Sequence, residues 1–239
     1  MVFLRSKRKP QGASMQAAGL EGSALAKPHL YAWEKEYRTG RGRWRGTTNF
    51  QFEAKKGSRV LEVGCGNGKH LSALLDKGFD VYGVDISPSA IKLAKERAEL
   101  SGEGAILTIG DATQLHFEDN FFDVVFLFHI LGHLSEKERE LAIKEAFRVL
   151  KKGGKCYFRE FHITDYRFGK GIEVESNTFR KGTNVWVHYF TEEEVKKGFK
   201  EAGFEMLSLT LDSYKHIFNG KEFGRCEMDA VFLKKLLGD

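Results

Sequence analysis

From residue 58 onward, short apolar runs alternate with stretches of helical periodicity. SRVLEVG (58–64), DVYGVDI (80–86), AILTIG (105–110), FFDVVFLFHI (121–130) and KCYFREF (155–161) read as strands. The fourth is apolar on both faces, as a strand buried from two sides must be. Helices are predicted between them: one to about Asp76, one opened by Ser87 as N-cap and Pro88 at N1, and one opened by the Ser135/Glu138 capping-box spacing and closing near Leu150, before KKGG. Strands alternating with helices predict an α/β fold with a parallel sheet and crossover helices. Residues 162–190 lose the rhythm and are expected to form an insertion over the site, with a short hairpin. A second capping-box spacing, Thr191 to Glu194, opens a helix that stops at Gly203, and two antiparallel strands, FEMLSLTLDS and RCEMDAVFLKKL, close the chain. Ahead of the alternation, HLYAWEKEYRT (29–39) reads as a short helix with Trp33 and Tyr37 one turn apart, followed by a Gly/Arg loop around Trp44. Residues 1–28 lack periodicity and are expected to be a poorly ordered tail, leaving 29–239 as a single domain.

Composition changes this picture little. With 239 residues, 41% hydrophobic and 30% charged, the chain is large enough for a sizeable core and of ordinary globular composition. Its longest apolar stretch, 121–134, is broken by Asp123 and two histidines and is too short to span a bilayer. The first residues carry their charges after a few apolar ones, which does not fit a secretory signal, so a cytoplasmic chain is expected. Cys65, Cys156 and Cys226 are too scattered for a disulfide framework or a metal site, and no metal is expected. Charge is uneven: residues 1–46 hold 10 Lys/Arg against 3 Glu, whereas the remainder is slightly acidic. Such an arm is read either as a solvated tail or as a polyanion-concentrating segment.

The first strand runs into VLEVGCGNGKH. A dinucleotide fingerprint spaces its glycines GxGxxG over a pyrophosphate. Here Gly64, Gly66 and Gly68 alternate, and Glu62 precedes them. An acid there repels a pyrophosphate and suits a ligand with an ammonium or sulfonium, while the glycines let the backbone approach it. Asp85 ends the second strand, 21 residues after Gly64, where a carboxylate can take both hydroxyls of a ribose. Asp111 and Ala112, after the third strand, are placed to bind an adenine amino group and ring. Adenine, ribose and a charged amino-acid tail together describe S-adenosylmethionine.

These stretches, with FFDVVFLFHIL and RVLKKGGKCYF, occur in the order of the class I S-adenosylmethionine-dependent methyltransferases, which the chain resembles over about residues 58–160. The resemblance implies a doubly wound seven-stranded sheet with its last strand antiparallel and the cofactor at the strands' carboxyl ends. It also implies that Glu62, Gly64, Cys65, Gly66 and Asn67 lie near the methionine part, Asp85 and Ile86 at the ribose and adenine, Asp111 and Ala112 at the base, and Phe128 and His129 before the sulfonium. Trp44, with Arg43 and Arg45, is read either as a lid on the cofactor or as a surface loop. Cys65 reads as a filler of the turn and Asp123 as a structural partner at the sheet edge.

Methyl transfer from a sulfonium is an in-line displacement with a good leaving group, so alignment and water exclusion matter most. A general base is needed only where the acceptor sheds a proton. Candidates are His129 and His133 beyond the fourth strand, and Arg159, which could meet an anionic acceptor from the end of the fifth. His133 is equally well read as a loop residue packed on the next helix. Glu160, His162, Tyr166 and the RFGKG turn (167–171) lie nearby. GRW ahead of the glycines, FREF followed by Asp165, and the aromatic stretch before TEEEV faintly resemble the tRNA 3-methylcytidine methyltransferases, in which the Arg of an FRD-like stretch serves the target base. Here Arg159 matches and Glu160 replaces the acid. The sequence therefore leads to a methyltransferase with a small-molecule acceptor. A tRNA base methyltransferase is the alternative, and a non-catalytic cofactor-binding protein a remote third.

Overall fold

A computed structural model describes residues 27–40, 51–100 and 104–235. The readings placed on Trp44, on the Gly/Arg loop and on nearly all of the tail lie outside the described residues. Helix α1 (Pro28–Arg38) is followed by β1 (Arg59–Val63), α2 (Lys69–Leu75), β2 (Asp80–Asp85), α3 (Pro88–Leu100), β3 (Ile106–Ile109), β4 (Phe122–Phe128), a 3-10 turn (Leu131–His133), α4 (Glu136–Val149) and β5 (Leu150–Phe161). Then come β6 (Ile172–Glu175), β7 (Thr178–Arg180), β8 (Trp186–His188), α5 (Glu192–Glu201), β9 (Glu205–Phe218) and β10 (Lys221–Leu233).

Seven strands form one sheet in the order β3-β2-β1-β4-β5-β10-β9. β10 pairs antiparallel with both β5 and β9, while the pairings from β3 to β5 are parallel. Alternation within the strands makes two cores. Leu61, Val63, Val125 and Leu127 face Ala142, Ile143, Ala146, Val149, Val195 and Phe199 of α4 and α5. Val60, Val124, Phe126 and Phe128 face Leu71, Leu74, Leu75, Ile91 and Ala94 of α2 and α3. The apolar run of β4 is thereby explained, since its side chains are buried on both sides of a covered sheet. The chain winds outward from β1 to β3 and then returns to place β4 on the other side of β1. That reversal opens a crevice at the carboxyl ends of β1 and β4.

Four local outcomes differ from the sequence expectation. β5 begins directly after α4 and carries KKGG as a bulge: Phe122 pairs with Leu150, and Val124 next with Lys155. Gly154 permits this by packing against Leu150 and the Asp123 carbonyl, where a Cβ would come within 2.8 Å. The insertion forms three antiparallel strands rather than a single hairpin, because β8 adds to β7. Thr191 caps α5 by accepting from the Glu194 N–H, but the box is incomplete, since the Glu194 carboxylate is drawn to His188 Nε2 at 3.0 Å. The last two strands are longer than the hydrophobic pattern shows and turn through Asn219 and Gly220, both at positive φ (48° and 71°). An Asn-Gly pair between strands signals such a two-residue turn. The Ser135 box forms as expected, and Asp123 takes the Arg59 N–H and the Lys151 ammonium at the sheet's lower edge.

Candidate active site

A cavity of about 320 Å³ fills the crevice. Its floor is the turn after β1. Gly64, Gly66 and Gly68 have φ of 73°, 54° and 74°, a region L side chains rarely adopt. A Cβ on Gly64 would meet Ile130 at 2.8 Å, and one on Gly66 would strike the Tyr37 hydroxyl. Asp85 holds this turn: one carboxylate oxygen accepts from Gly66 N–H at 2.8 Å and the other from Ser87 N–H at 2.9 Å. Burial pushes its pKa to about 6, against the pull of those two bonds. Each oxygen keeps a lone pair for a ribose hydroxyl.

Glu62 is buried. One oxygen accepts from His70 Nδ1–H at 2.7 Å, while Oε2 takes no hydrogen bond among the described residues. A carboxylate oxygen desolvated without a donor is costly, and an ammonium group in the cavity would relieve it. At the far wall, Asp111 accepts from the N–H and hydroxyl of Thr113, both at 2.8 Å, and pairs with Lys27 at 2.7 Å, beside Ala112 and Ile86. An orphaned acid, glycines admitting a close backbone approach, and a strand-end carboxylate fit the tail and ribose of S-adenosylmethionine. Cys65 is buried in the turn, and burial pushes its thiol well above the usual range, so it is a protonated filler.

Helix α1 roofs the cavity. Leu30, Trp33 and Tyr37, at i, i+3 and i+7, face inward from one side of the helix. Both flanks are fastened. Glu34 accepts from the hydroxyls of Ser87 and Ser89, both at 2.6 Å, and from Ser89 N–H, thereby engaging the start of α3. On the other side His29 donates to Glu138 at 2.8 Å and stacks on Trp186 with ring centroids 4.3 Å apart. Burial raises the Glu138 carboxyl, but bonds from His29 and Ser135 outweigh it and hold its pKa at about 2.

Away from Asp111, the cavity is walled by Trp33, His129, His133, Phe161, Arg167, Val185 and Val187. His129 has φ 52°, unusual for a non-glycine residue, and its ring stacks on Phe161 at 4.6 Å. Burial lowers its pKa to about 4, so it is neutral at pH 7. Burial likewise lowers His133, whose Nδ1–H donates to the Trp186 carbonyl at 2.7 Å. Beneath both, Glu160 accepts from Gly132 N–H at 2.9 Å, and burial raises its carboxyl to about 7.

Twelve residues singled out in the sequence line this one cavity: Glu62, Gly64, Cys65, Gly66, Asn67, Asp85, Ile86, Asp111, Ala112, Phe128, His129 and His133. Arg159 is placed elsewhere. Its guanidinium is bidentate to Asp229 on β10, at 2.6 and 3.0 Å, and lies over Phe128 at 5.4 Å. His162 bonds Thr164, and Tyr166 packs on Phe223. Lys27, Glu34, Val185 and Val187 carry roles that the sequence did not reveal. The spacing of Trp33 and Tyr37 was the one usable sign of an inward face on α1.

A family described as "Methyltransferase domain" matches residues 61–158. The ubiquinone biosynthesis O-methyltransferase of Coxiella burnetii is 30% identical over 174 residues, covering 71% of this chain and 73% of that protein. The chain belongs to the S-adenosylmethionine-dependent methyltransferases. A methyltransferase of this class from Methanosarcina mazei has a related structure, with a TM-score of 0.68 and 28% identity over 77% of this chain and 95% of that one. The tRNA N(3)-cytidine methyltransferases of Danio rerio and Homo sapiens are 29% and 28% identical over 73% and 75% of this chain. This methyltransferase chain spans about half the length of those tRNA enzymes (53% and 51%). In this family the cofactor is S-adenosylmethionine, and among the described residues no helix is long and apolar enough to cross a membrane.

Proposed function

We propose that this methyltransferase acts on a heteroatom of a planar, ring-bearing small molecule held at the Phe161 end of the cavity. The observation that carries the reading is the wall itself: Trp33, His129, His133 and Phe161 with two valines, which favour a flat unsaturated ring over a flexible polar acceptor. S-adenosylmethionine, when bound, supplies an electrophilic methyl on a sulfur that leaves readily. Glu62, Asp85 and Asp111 hold its ammonium, ribose and adenine ends, and α1 with the aromatic wall excludes water. Because His133 spends its Nδ1–H on the Trp186 carbonyl, its Nε2 carries the lone pair, and burial keeps the ring neutral. His133 is thus the base for an acceptor that must shed a proton, and neutral His129 orients the ring by stacking and hydrogen bonding.

A second reading, a pyrimidine base of tRNA, is supported by the tRNA-modifying relatives and the basic residues of the N-terminal segment. Such a base would have to leave its stack to enter. The two readings part in one experiment, in which purified protein, radiolabelled S-adenosylmethionine and a deproteinised extract are incubated and the extract is split into RNA and small molecules. The first reading predicts label in small molecules, absent with Asp85→Ala. Label in RNA would replace it with the second, and label in neither fraction would contradict both.

A further inference from the structure

Behind the acceptor wall lies a cluster of donors in excess of its acceptors, arranged around the Phe161 ring. Arg167 Cζ is 3.9 Å from the ring centroid, Arg225 Cζ 4.8 Å, and the Tyr189 ring 6.4 Å. Both guanidinium groups share the fully buried Asp165: Arg167 Nε donates to one oxygen and Arg225 Nε to the other, each at 2.8 Å. One carboxylate shared by two guanidinium groups leaves donors over in a poorly solvated place, where an unmade bond counts most. The next carboxylate, Glu227, is 4.0 Å from Arg225 Nη2 and already accepts from the Tyr214 hydroxyl at 3.0 Å.

Two donors in this cluster are buried without an acceptor among the described residues: Arg225 Nη2, on a side chain 10% exposed, and the hydroxyl of Tyr189, 0% exposed. Buried donors are ordinarily satisfied, and an unmade bond to a guanidinium is especially costly. Arg167 connects the cluster to the cavity, since it also forms part of the acceptor wall.

We propose that Arg167, Arg225 and the Tyr189 hydroxyl form an anion subsite that receives a carboxylate or phosphate carried by the acceptor. It rests on the ring-binding reading above and narrows it: the acceptor is an anionic ring compound, oriented with its charge toward Arg167 and its ring against Phe161. Guanidinium groups suit either anion because both offer oxygens at the spacing of the fork.

The test does not depend on methyl transfer. Protein saturated with S-adenosylhomocysteine is titrated calorimetrically with inorganic phosphate and, separately, with acetate at constant ionic strength. One saturable site is expected, weakened tenfold or more by Arg167→Gln and several-fold by Tyr189→Phe, which removes only the hydroxyl. It should be unchanged by Lys197→Gln, whose side chain is 77% exposed on α5. Tighter phosphate than acetate would assign a phosphorylated acceptor, and the reverse a carboxylic acid. No saturable binding of either anion, or binding unaltered in both Arg167→Gln and Tyr189→Phe, would overturn the subsite and leave the methyltransferase reading intact. An absence of label transfer, with phosphate binding as expected, would do the opposite.

Discussion

Glu160 sits 1% exposed beneath the Leu131–His133 turn, held by Gly132 N–H, with a carboxyl raised by burial from 4.5 to about 7. The folded protein therefore binds this proton more tightly than the unfolded chain does, and stability falls as pH rises through that interval. Glu160→Gln keeps an acceptor for Gly132 and removes the buried charge. The variant should gain up to about 3 kcal/mol at pH 8, read as a Tm several degrees higher. At pH 4 the two proteins should melt together. Equal Tm values at pH 8 would show that Glu160 is not destabilised by its ionisation. At this scale the strand-end side of the cavity was largely legible, because Glu62, Asp85 and Asp111 stand where strands end, and strand ends face a crevice at a topological switch. The acceptor end was not. Arg159 looked available from its position at the end of β5, but its partner Asp229 is 70 residues away and becomes its neighbour only through the β5–β10 register.

Among the elements, α1 joins parts that are otherwise separate. Its Glu34 joins it to the serines at the start of α3, and its His29 to Glu138 of α4, so the roof is fastened on both sides of the cavity. Glu34→Ala should accelerate S-adenosylhomocysteine release about tenfold or more, since three hydrogen bonds to a half-buried carboxylate are lost and one such bond to a charged group is worth about 1.5–3 kcal/mol at most. Stopped-flow fluorescence of Trp33, which lines the cavity, reads this rate directly. An unchanged rate would mean that α1 does not gate exchange. The helix itself was legible as a short periodic stretch, but its place as a roof was not, since every contact that fastens it is long-range. The insertion was recognised only by its loss of rhythm. β6, β7 and β8 have four, three and three residues, too short for alternation to register, and they are organised by Phe161, Phe179 and Tyr189 packing together.

On the scale of the molecule, the sheet and its two cores follow from the alternation of strand and helix, and the sequence pattern was sufficient for the order of elements from β1 to β5. Beyond β5, the pattern gave two antiparallel strands and the resemblance an antiparallel last strand in the sheet, while the place of β10 between β5 and β9 emerges only in the structure. What the fold accomplishes is to bring strand ends from β1, β2, β3 and β4 to one cavity under one helix. Calorimetric titration of S-adenosylhomocysteine into the wild-type protein and Asp85→Ala tests that arrangement. A single site is expected in the wild type, weakened tenfold or more in the variant, because a carboxylate contact to both ribose hydroxyls is worth about 1.5–3 kcal/mol. Equal affinity in a folded Asp85→Ala protein would contradict it and move the cofactor away from the end of β2.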